Sequence, residues 1–330
     1  MANNHEQFKK FNNTIKLNDD KKETLEKNRG ILRDKIKKYF TENKHNEIKP
    51  KFHSQGSFEM KTTVNPIPRK SDENKDLYNY DIDDGVYFIG EEDKEDRYVV
   101  DTYHEWIYDA VKDHTSKGAI KKNTCVRVLY ADGHHIDLPI YYKQRNVPEL
   151  AHKSKDWIDS DPREFYKLFN EKAASNQQLR RIVRYLKAWC DFRNFNRPDV
   201  KMPSGFIMTI LATDNLSINE RDDVAFKETL EKIKNKLDNK FECKRPTTPK
   251  GENLLSDFSD TRREYFLAQL NSFITSASQA LEINNHKESC LKWQKHFGDR
   301  FSCSNAKDED EASSRSYSSA AVITQNAKSA

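Results

Sequence analysis

The sequence has no apolar run approaching the roughly 20 residues that cross a bilayer. Its polar start, Met1-Ala2-Asn3-Asn4-His5-Glu6, does not read as a signal peptide. A cytoplasmic protein is therefore expected, with no membrane partner. Cysteine is scarce: Cys125, Cys190, Cys243, Cys290 and Cys303 are odd in number, scattered and without a CxxC pair. That pattern predicts a reducing compartment with neither a disulfide framework nor a zinc site. A strong charge of one sign is also missing, since 57 basic residues nearly balance 53 acidic ones and leave a net charge of +4. So small an excess gives no argument by itself for nucleic-acid binding. What is present is charge of both signs, 33% of residues against 35% hydrophobic, on 330 residues, enough for two lobes with a substantial core.

Along the chain the pattern changes from strand-like to helical. A long helix is predicted from about Asn18, where Asn18 and Asp19 are good N-caps and Leu25, Leu32, Ile36 and Tyr39 form one stripe. It is expected to run along both lobes as a spine. Strands follow at Asp81 to Ile89, Thr124 to Tyr130 and His135 to Tyr142, with a helix around Asp101 to Asp113 and a turn at Ala131-Asp132-Gly133. The result is a mixed sheet.

From about Ser154 the periodicity is helical. In Gln178 to Phe192, the residues Leu179, Ile182, Val183, Leu186, Trp189 and Cys190 share one face, and Arg180, Arg184 and Lys187 gather on another, which reads as solvated apart from Lys187 at its apolar edge. Ser204 is a candidate N-cap for an apolar helix over Phe206 to Ala212. Arg245 to Asn253, rich in Pro and Thr, reads as an ordered loop. Phe266, Leu270, Phe273, Ala277 and Ala280 mark a further helix, and Leu291 to Phe297 another. The residues after Ser304 are too polar and small to fold and read as a disordered tail.

The chemistry is concentrated in the strands. Side chains alternate along a strand, so Asp81 and Asp83 project together and Asp137 can join them from a neighbouring strand. Asp84 points the other way and reads as a structural acid, at the turn with Gly85. Upstream, Gly56 lets the backbone approach a phosphate, and the Ser57 hydroxyl can donate to it or approach a metal. Carboxylates at bonding distance repel, and hard cations such as Mg²⁺ are the usual relief. Paired acids beside a Gly-Ser turn are the core of a nucleotidyltransferase.

These segments resemble the cGAS/DncV-like nucleotidyltransferases, bacterial enzymes that make cyclic di- and trinucleotide signals in anti-phage defence, and within them the DncV type. Gln55-Gly56-Ser57-Phe58 and Asp81-Ile82-Asp83-Asp84-Gly85 look like family motifs. So do Thr124-Cys125-Val126-Arg127, His135-Ile136-Asp137, Trp157 to Pro162, Leu186-Lys187-Ala188-Trp189 and Phe297-Gly298-Asp299-Arg300. Between Tyr142 and Trp157 this chain is much shorter. The resemblance implies an α+β fold: a polymerase-β-like nucleotidyltransferase lobe with a mixed sheet, and a C-terminal helical lobe joined to it by a long N-terminal spine helix. The expected divisions are 1–153, 154–305 and a tail over 306–330.

It also implies a cyclic dinucleotide or oligonucleotide synthase, cGAMP-like, of CBASS defence, releasing pyrophosphate as it joins NTPs, ATP or GTP foremost and pyrimidine NTPs possible. Asp81, Asp83 and Asp137 would hold two Mg²⁺ ions, for which Mn²⁺ may substitute. Gln55, Gly56, Ser57, Arg127, Lys187 and Ser204 would bind nucleotide. Arg127 could equally be an ion-pair partner, Ser204 a cap, and the Arg245 to Asn253 loop either a cleft element or a plain connector. A downstream effector would read the product, and a ubiquitin-transfer-like operon partner could act at Ala330, unless the tail is an ordinary chain end. The rivals are a terminal nucleotidyltransferase acting on RNA or protein, against which the absence of a basic domain counts, and a catalytically inactive binding module, against which the three intact aspartates count.

Overall fold

The computed structural model describes residues 2–145 and 147–308; the tail beyond, with Ala330, lies outside the described residues. Two helices open the chain, α1 (His5–Ile15) and α2 (Asp19–Asn43). Asn18 caps α2 by accepting from the Lys21 N–H. Then come β1 (Lys51–Gln55), the single-turn α3 (Gly56–Glu59), the small hairpin β2 (Arg69–Lys70) and β3 (Asp76–Leu77), and the central strand β4 (Asp81–Ile89). The helix α4 (Val100–Val111) follows, then β5 (Ala119–Lys121), β6 (Cys125–Leu129), β7 (His135–Gln144), β8 (Val147–His152) and β9 (Asp156–Asp159).

The main sheet runs β1-β4-β7-β6-β5, with β8 on the second half of β7 and β9 on β8. Only the β4–β7 pair is parallel, so the sheet is mixed, as the sequence predicts. Alternation gives it two faces. Ile82, Val86 and Phe88 of β4 and Ile136, Leu138, Ile140 and Tyr142 of β7 turn into a core closed by Leu25, Leu32, Ile36 and Phe40 of α2 and by Trp106 and Ile107 of α4. The buried stripe of α2 therefore ends on Phe40, and Tyr39 lies beside it half-buried.

The second lobe is helical: α5 (Pro162–Ser175), α6 (Gln178–Asn196), α7 (Gly205–Asn215), α8 (Asp222–Asn239), α9 (Asp260–Glu282) and α10 (His286–Phe297). Its core gathers Trp189, Phe226, Phe273, Trp293 and Phe297 with Phe8, Phe11 and Ile15 of α1. The first helix thus belongs to the far lobe and α2 to the near one, so the N-terminal helical segment spans both through two helices rather than one. The apolar spacing of Phe8, Phe11 and Ile15 carries this helix, although the polar start conceals it. Helical structure begins later than expected, at Pro162, because the β8–β9 hairpin continues the sheet to Asp159 with Ala151 and Trp157 buried.

The cysteines depart from expectation. Cys290 and Cys303 are disulfide-bonded, with Cα atoms 5.8 Å apart. The chain reverses after α10 at Gly298 and lays residues 301–303 back along that helix, so a single bridge forms without any CxxC spacing. Cys125, Cys190 and Cys243 are free and buried. Among the described residues no helix is long and apolar enough to cross a membrane.

Asp84 sits on the core side of β4, fully buried, and accepts two hydrogen bonds from Arg33 of α2 at 2.7 and 2.5 Å. It is the structural acid that alternation predicts, although it lies within the strand and not at a turn. Asp84→Ala should cost about 3 kcal/mol of unfolding free energy, because breaking such a pair leaves the Arg33 charge partly buried and alone. Urea denaturation measures this; a loss under about 1 kcal/mol would show the pair to be dispensable.

Candidate active site

The parallel register of β4 and β7 places Asp81 opposite His135 and Asp83 opposite Asp137. All four side chains share the sheet face turned away from the α2 core, where they line a cleft of about 760 Å³ between the lobes or crowd its wall. Ligand atoms of Asp81, His135 and Asp137 lie within 4.8 Å of one another, a group able to hold a metal ion. His135 Nε2 is 3.7 Å from Asp81 Oδ2. Asp83 stands on the same face outside that group, against the Gly56-Ser57 turn: a Cβ on Gly56 would come within 2.1 Å of its Oδ2. Gly56 also has φ +71°, so two constraints require glycine there.

The charges are unevenly matched. Asp137 accepts from Arg127 Nε and Nη2, both at 2.7 Å, so the ion pair is the bond that Arg127 makes. Asp81 and Asp83 have no such partner among the described residues. Burial raises the Asp81 carboxyl above the usual carboxylate range, against the pull of His135 and with a further push from Asp137. Burial also raises Asp83, and Asp81 and Asp137 raise it further. For His135, burial lowers the imidazole pKa while Asp81 opposes. Its Nε2 is buried and without a hydrogen-bond partner among the described residues. Carboxylate oxygens with one orphaned imidazole nitrogen are a donor set that a divalent cation fits.

The remaining candidates divide between the lobes. Ser57 Oγ lies 2.9 Å from Thr63 Oγ1 at the rim of the cleft. The buried side chain of Gln55 donates to Tyr141 Oη at 3.0 Å and accepts from Tyr87 Oη at 3.3 Å, so it braces the stacked Tyr87–Tyr141 pair, and with Tyr141 it lines the floor of the cleft. Ser204 caps α7, accepting from the Ile207 N–H at 3.3 Å, and lines the cleft beside Lys187. The Arg245–Asn253 loop reaches the cleft through Arg245 and Thr247.

The basic face of α6 is not solvated. Arg180 donates to the Met60 carbonyl at 3.2 Å, Arg184 to the Lys61 carbonyl at 2.6 Å, and Lys187 to the Thr62 carbonyl at 3.3 Å and its hydroxyl at 3.1 Å. Successive turns of one helix thus read successive carbonyls of the segment leaving α3. Asp191 continues the row by accepting from the Ile67 N–H, and Arg300 donates to the Asn65 carbonyl. Sequence reasoning missed this clamp because its acceptors are main-chain atoms. It also missed His135, for which the signal was available: the alternation that selects Asp137 selects the residue two before it.

With this geometry in place, the class is that of a nucleotidyltransferase fold. Residues 50–141 match the family model "Cyclic GMP-AMP synthase DncV-like, nucleotidyltransferase domain". A cyclic GMP-AMP synthase of Escherichia albertii is 28% identical over 238 residues, 68% of this chain and 49% of that protein. The chain thus matches about half the length of this curated relative. Vibrio cholerae DncV in complex with nonhydrolyzable GTP superposes with a TM-score of 0.76 at 18% identity, covering 92% of this chain and 97% of that one. The same protein with the linear intermediate 5′ pppA(3′,5′)pG gives a TM-score of 0.74 at 18% identity, over 91% and 96%. At such identity the superpositions establish the fold.

Lys187 supplies a pH test of the cleft. Burial lowers its pKa to about 8, with Asp81 and Asp83 pulling the other way. The unfolded chain holds this proton up to about pH 10.4. Between about 8 and 10.4 the unfolded state therefore binds more protons, and the Lys187 contribution to stability rises with pH. Below that window its buried charge is destabilising. Unfolding free energies of wild type minus Lys187→Met, measured from pH 7 to 10.5 without ligand, should climb across the window. A flat difference would mean that the ammonium is solvated.

Proposed function

We propose that this protein is a metal-dependent nucleotidyltransferase that joins two or more nucleoside triphosphates into a cyclic product, with release of pyrophosphate at each transfer. One observation carries the reading: two neighbouring carboxylates, Asp81 and Asp83, project from the cleft face of β4 with no lysine or arginine in contact among the described residues, in a cleft also lined by Lys187 and by Ser204 at the N-terminus of α7. A site that concentrates uncompensated negative charge opposite a cation and a helix N-terminus suits a metal-bound triphosphate. The family model over 50–141 supports the reaction class, and the cyclic GMP-AMP synthase relative supports a cyclic dinucleotide as product. Purine nucleotides are the favoured substrates by the same likeness, since the related fold is known with a GTP analogue and with a linear adenine–guanine intermediate.

Bound divalent ions would lower the pKa of the attacking hydroxyl and neutralise developing charge on the phosphates. The rest falls to the chain's own side chains. Asp81 and Asp83 hold the metal from β4, and Asp137 from β7. With both its oxygens tied to Arg127, Asp137 is fixed in orientation and retains lone pairs for a cation. Ser57 and the main chain at Gly56 face the donor phosphates, and Gly56 lets that chain pass close over Asp83. Lys187, already desolvated, can exchange its Thr62 contacts for a phosphate oxygen. Ser204 presents the α7 N-terminus with its cap in place. Gln55 acts by holding the tyrosine wall, and Arg127 by holding Asp137.

The reading extends to a role in cyclic-nucleotide anti-phage signalling, with a downstream effector for the product.

Asp81→Asn with Asp83→Asn should lower product formation by more than about 10³-fold while preserving the fold. The assay is incubation with mixed labelled NTPs and Mg²⁺ or Mn²⁺, followed by phosphatase treatment and mass spectrometry. A small resistant product from the wild type supports the cyclase. Label appearing instead on an RNA end or a protein hydroxyl would identify a terminal transferase, and turnover by the folded double variant would overturn the metal assignment.

A further inference from the structure

The imidazole of His135 belongs to the metal group by geometry, although the aspartates suffice to explain a hard-cation site. It is 95% buried, projects from the cleft face of β7 directly opposite Asp81 and two residues before Asp137, and leaves Nε2 without a hydrogen bond among the described residues. Its 3.7 Å distance to Asp81 Oδ2 is too long for a hydrogen bond. A histidine positioned only to orient Asp81 would close that gap. The separation suits two ligands of one ion instead: with bonds of about 2.1 Å, neighbouring ligand atoms lie about 3.0 Å apart and opposite ones about 4.2 Å.

We propose that Nε2 of His135 is a direct ligand of the divalent cation held by Asp81 and Asp137, and that this nitrogen gives the site a preference for Mn²⁺ over Mg²⁺. Mg²⁺ binds oxygen and keeps its waters, whereas an imidazole nitrogen favours a transition ion. The inference rests on the reading of the cleft as a metal centre, and deepens it by naming a fourth side chain and the class of ion.

The test uses the full chain without nucleotide. Mn²⁺ binding is followed by electron paramagnetic resonance, and pulsed measurements read hyperfine coupling from a directly bound nitrogen, with ¹⁵N-histidine labelling to assign it. The expected result is a histidine nitrogen signal in the wild type. It should be lost in His135→Gln together with about tenfold or more in Mn²⁺ affinity, while competition by Mg²⁺ changes less. His135→Asn serves as a second variant, and thermal unfolding checks both. If neither folds, the labelled wild type alone decides.

Tightly bound Mn²⁺ without nitrogen coupling, or coupling that persists in His135→Gln, would overturn the role of His135 and leave the carboxylate centre standing. Mn²⁺ affinity unchanged in Asp81→Asn would overturn the metal reading itself.

Discussion

The parallel pairing of β4 with β7 is the constraint on which the site depends. Neighbouring strands run about 4.8 Å apart, and in-phase alternation sends the matched residues of both to the same side. Asp81 opposite His135 and Asp83 opposite Asp137 therefore project four polar groups into one small area. No helix surface or loop would impose such crowding so rigidly. The sheet tolerates it because its other face is apolar and closed by α2 and α4, so the register is fixed by burial: a slip of one residue would drive Ile82 and Ile136 into the cleft and the acids into the core.

The second requirement is that the two walls of the cleft keep their spacing. Arg180, Arg184 and Lys187 of α6 grip the carbonyls of Met60, Lys61 and Thr62, Asp191 grips the Ile67 N–H, and Arg300 the Asn65 carbonyl. This segment follows directly from Gly56 and Ser57. The Gly56-Ser57 turn is thus anchored to the acids at its start, through Gly56 packed on Asp83, and to the helical lobe at its end. Arg184 is buried with its pKa lowered to about 10 by desolvation, which is unfavourable for a cation with no acidic partner in contact among the described residues. Its bonds to Asn12 and Lys61 offset part of that cost and also bind α1 into the lobe interface.

What was legible in the sequence follows from which signals are local. Alternation marks β4 as Asp81–Ile89, and helical spacing marks the buried faces of α6 and α9, because each pattern is written in consecutive side chains. The three aspartates were legible for the same reason. The β8–β9 hairpin was not, since strands of only six and four residues, the first carrying Pro148, give alternation too little length. Nor was the clamp: Arg180 and Arg184 read as solvated cations because their acceptors are main-chain oxygens more than a hundred positions away. The Cys290–Cys303 bond was hidden in a scattered count, since only the reversal after Gly298 brings the two together.

Three aspartates within four positions of β4 also show how a structural acid is told from a functional one. Asp84 is fully buried and Arg33 matches it with two hydrogen bonds, so its charge is settled inside the fold. Asp137, across the pair, is matched by Arg127. Asp81 and Asp83 receive only the longer-range fields of His135, Arg127 and Lys187, which fail to bring their carboxyl pKa values down to the ordinary range. The chain has basic groups nearby and spends them elsewhere, on carbonyls and on Asp137. Under selection for stability alone, either acid could be relieved by a neutral residue or by one more cation on the facing helix. Charge left unmatched among the described residues at the focus of a clamped cleft, beside an imidazole nitrogen without a hydrogen bond, makes a donor set that a divalent cation fits.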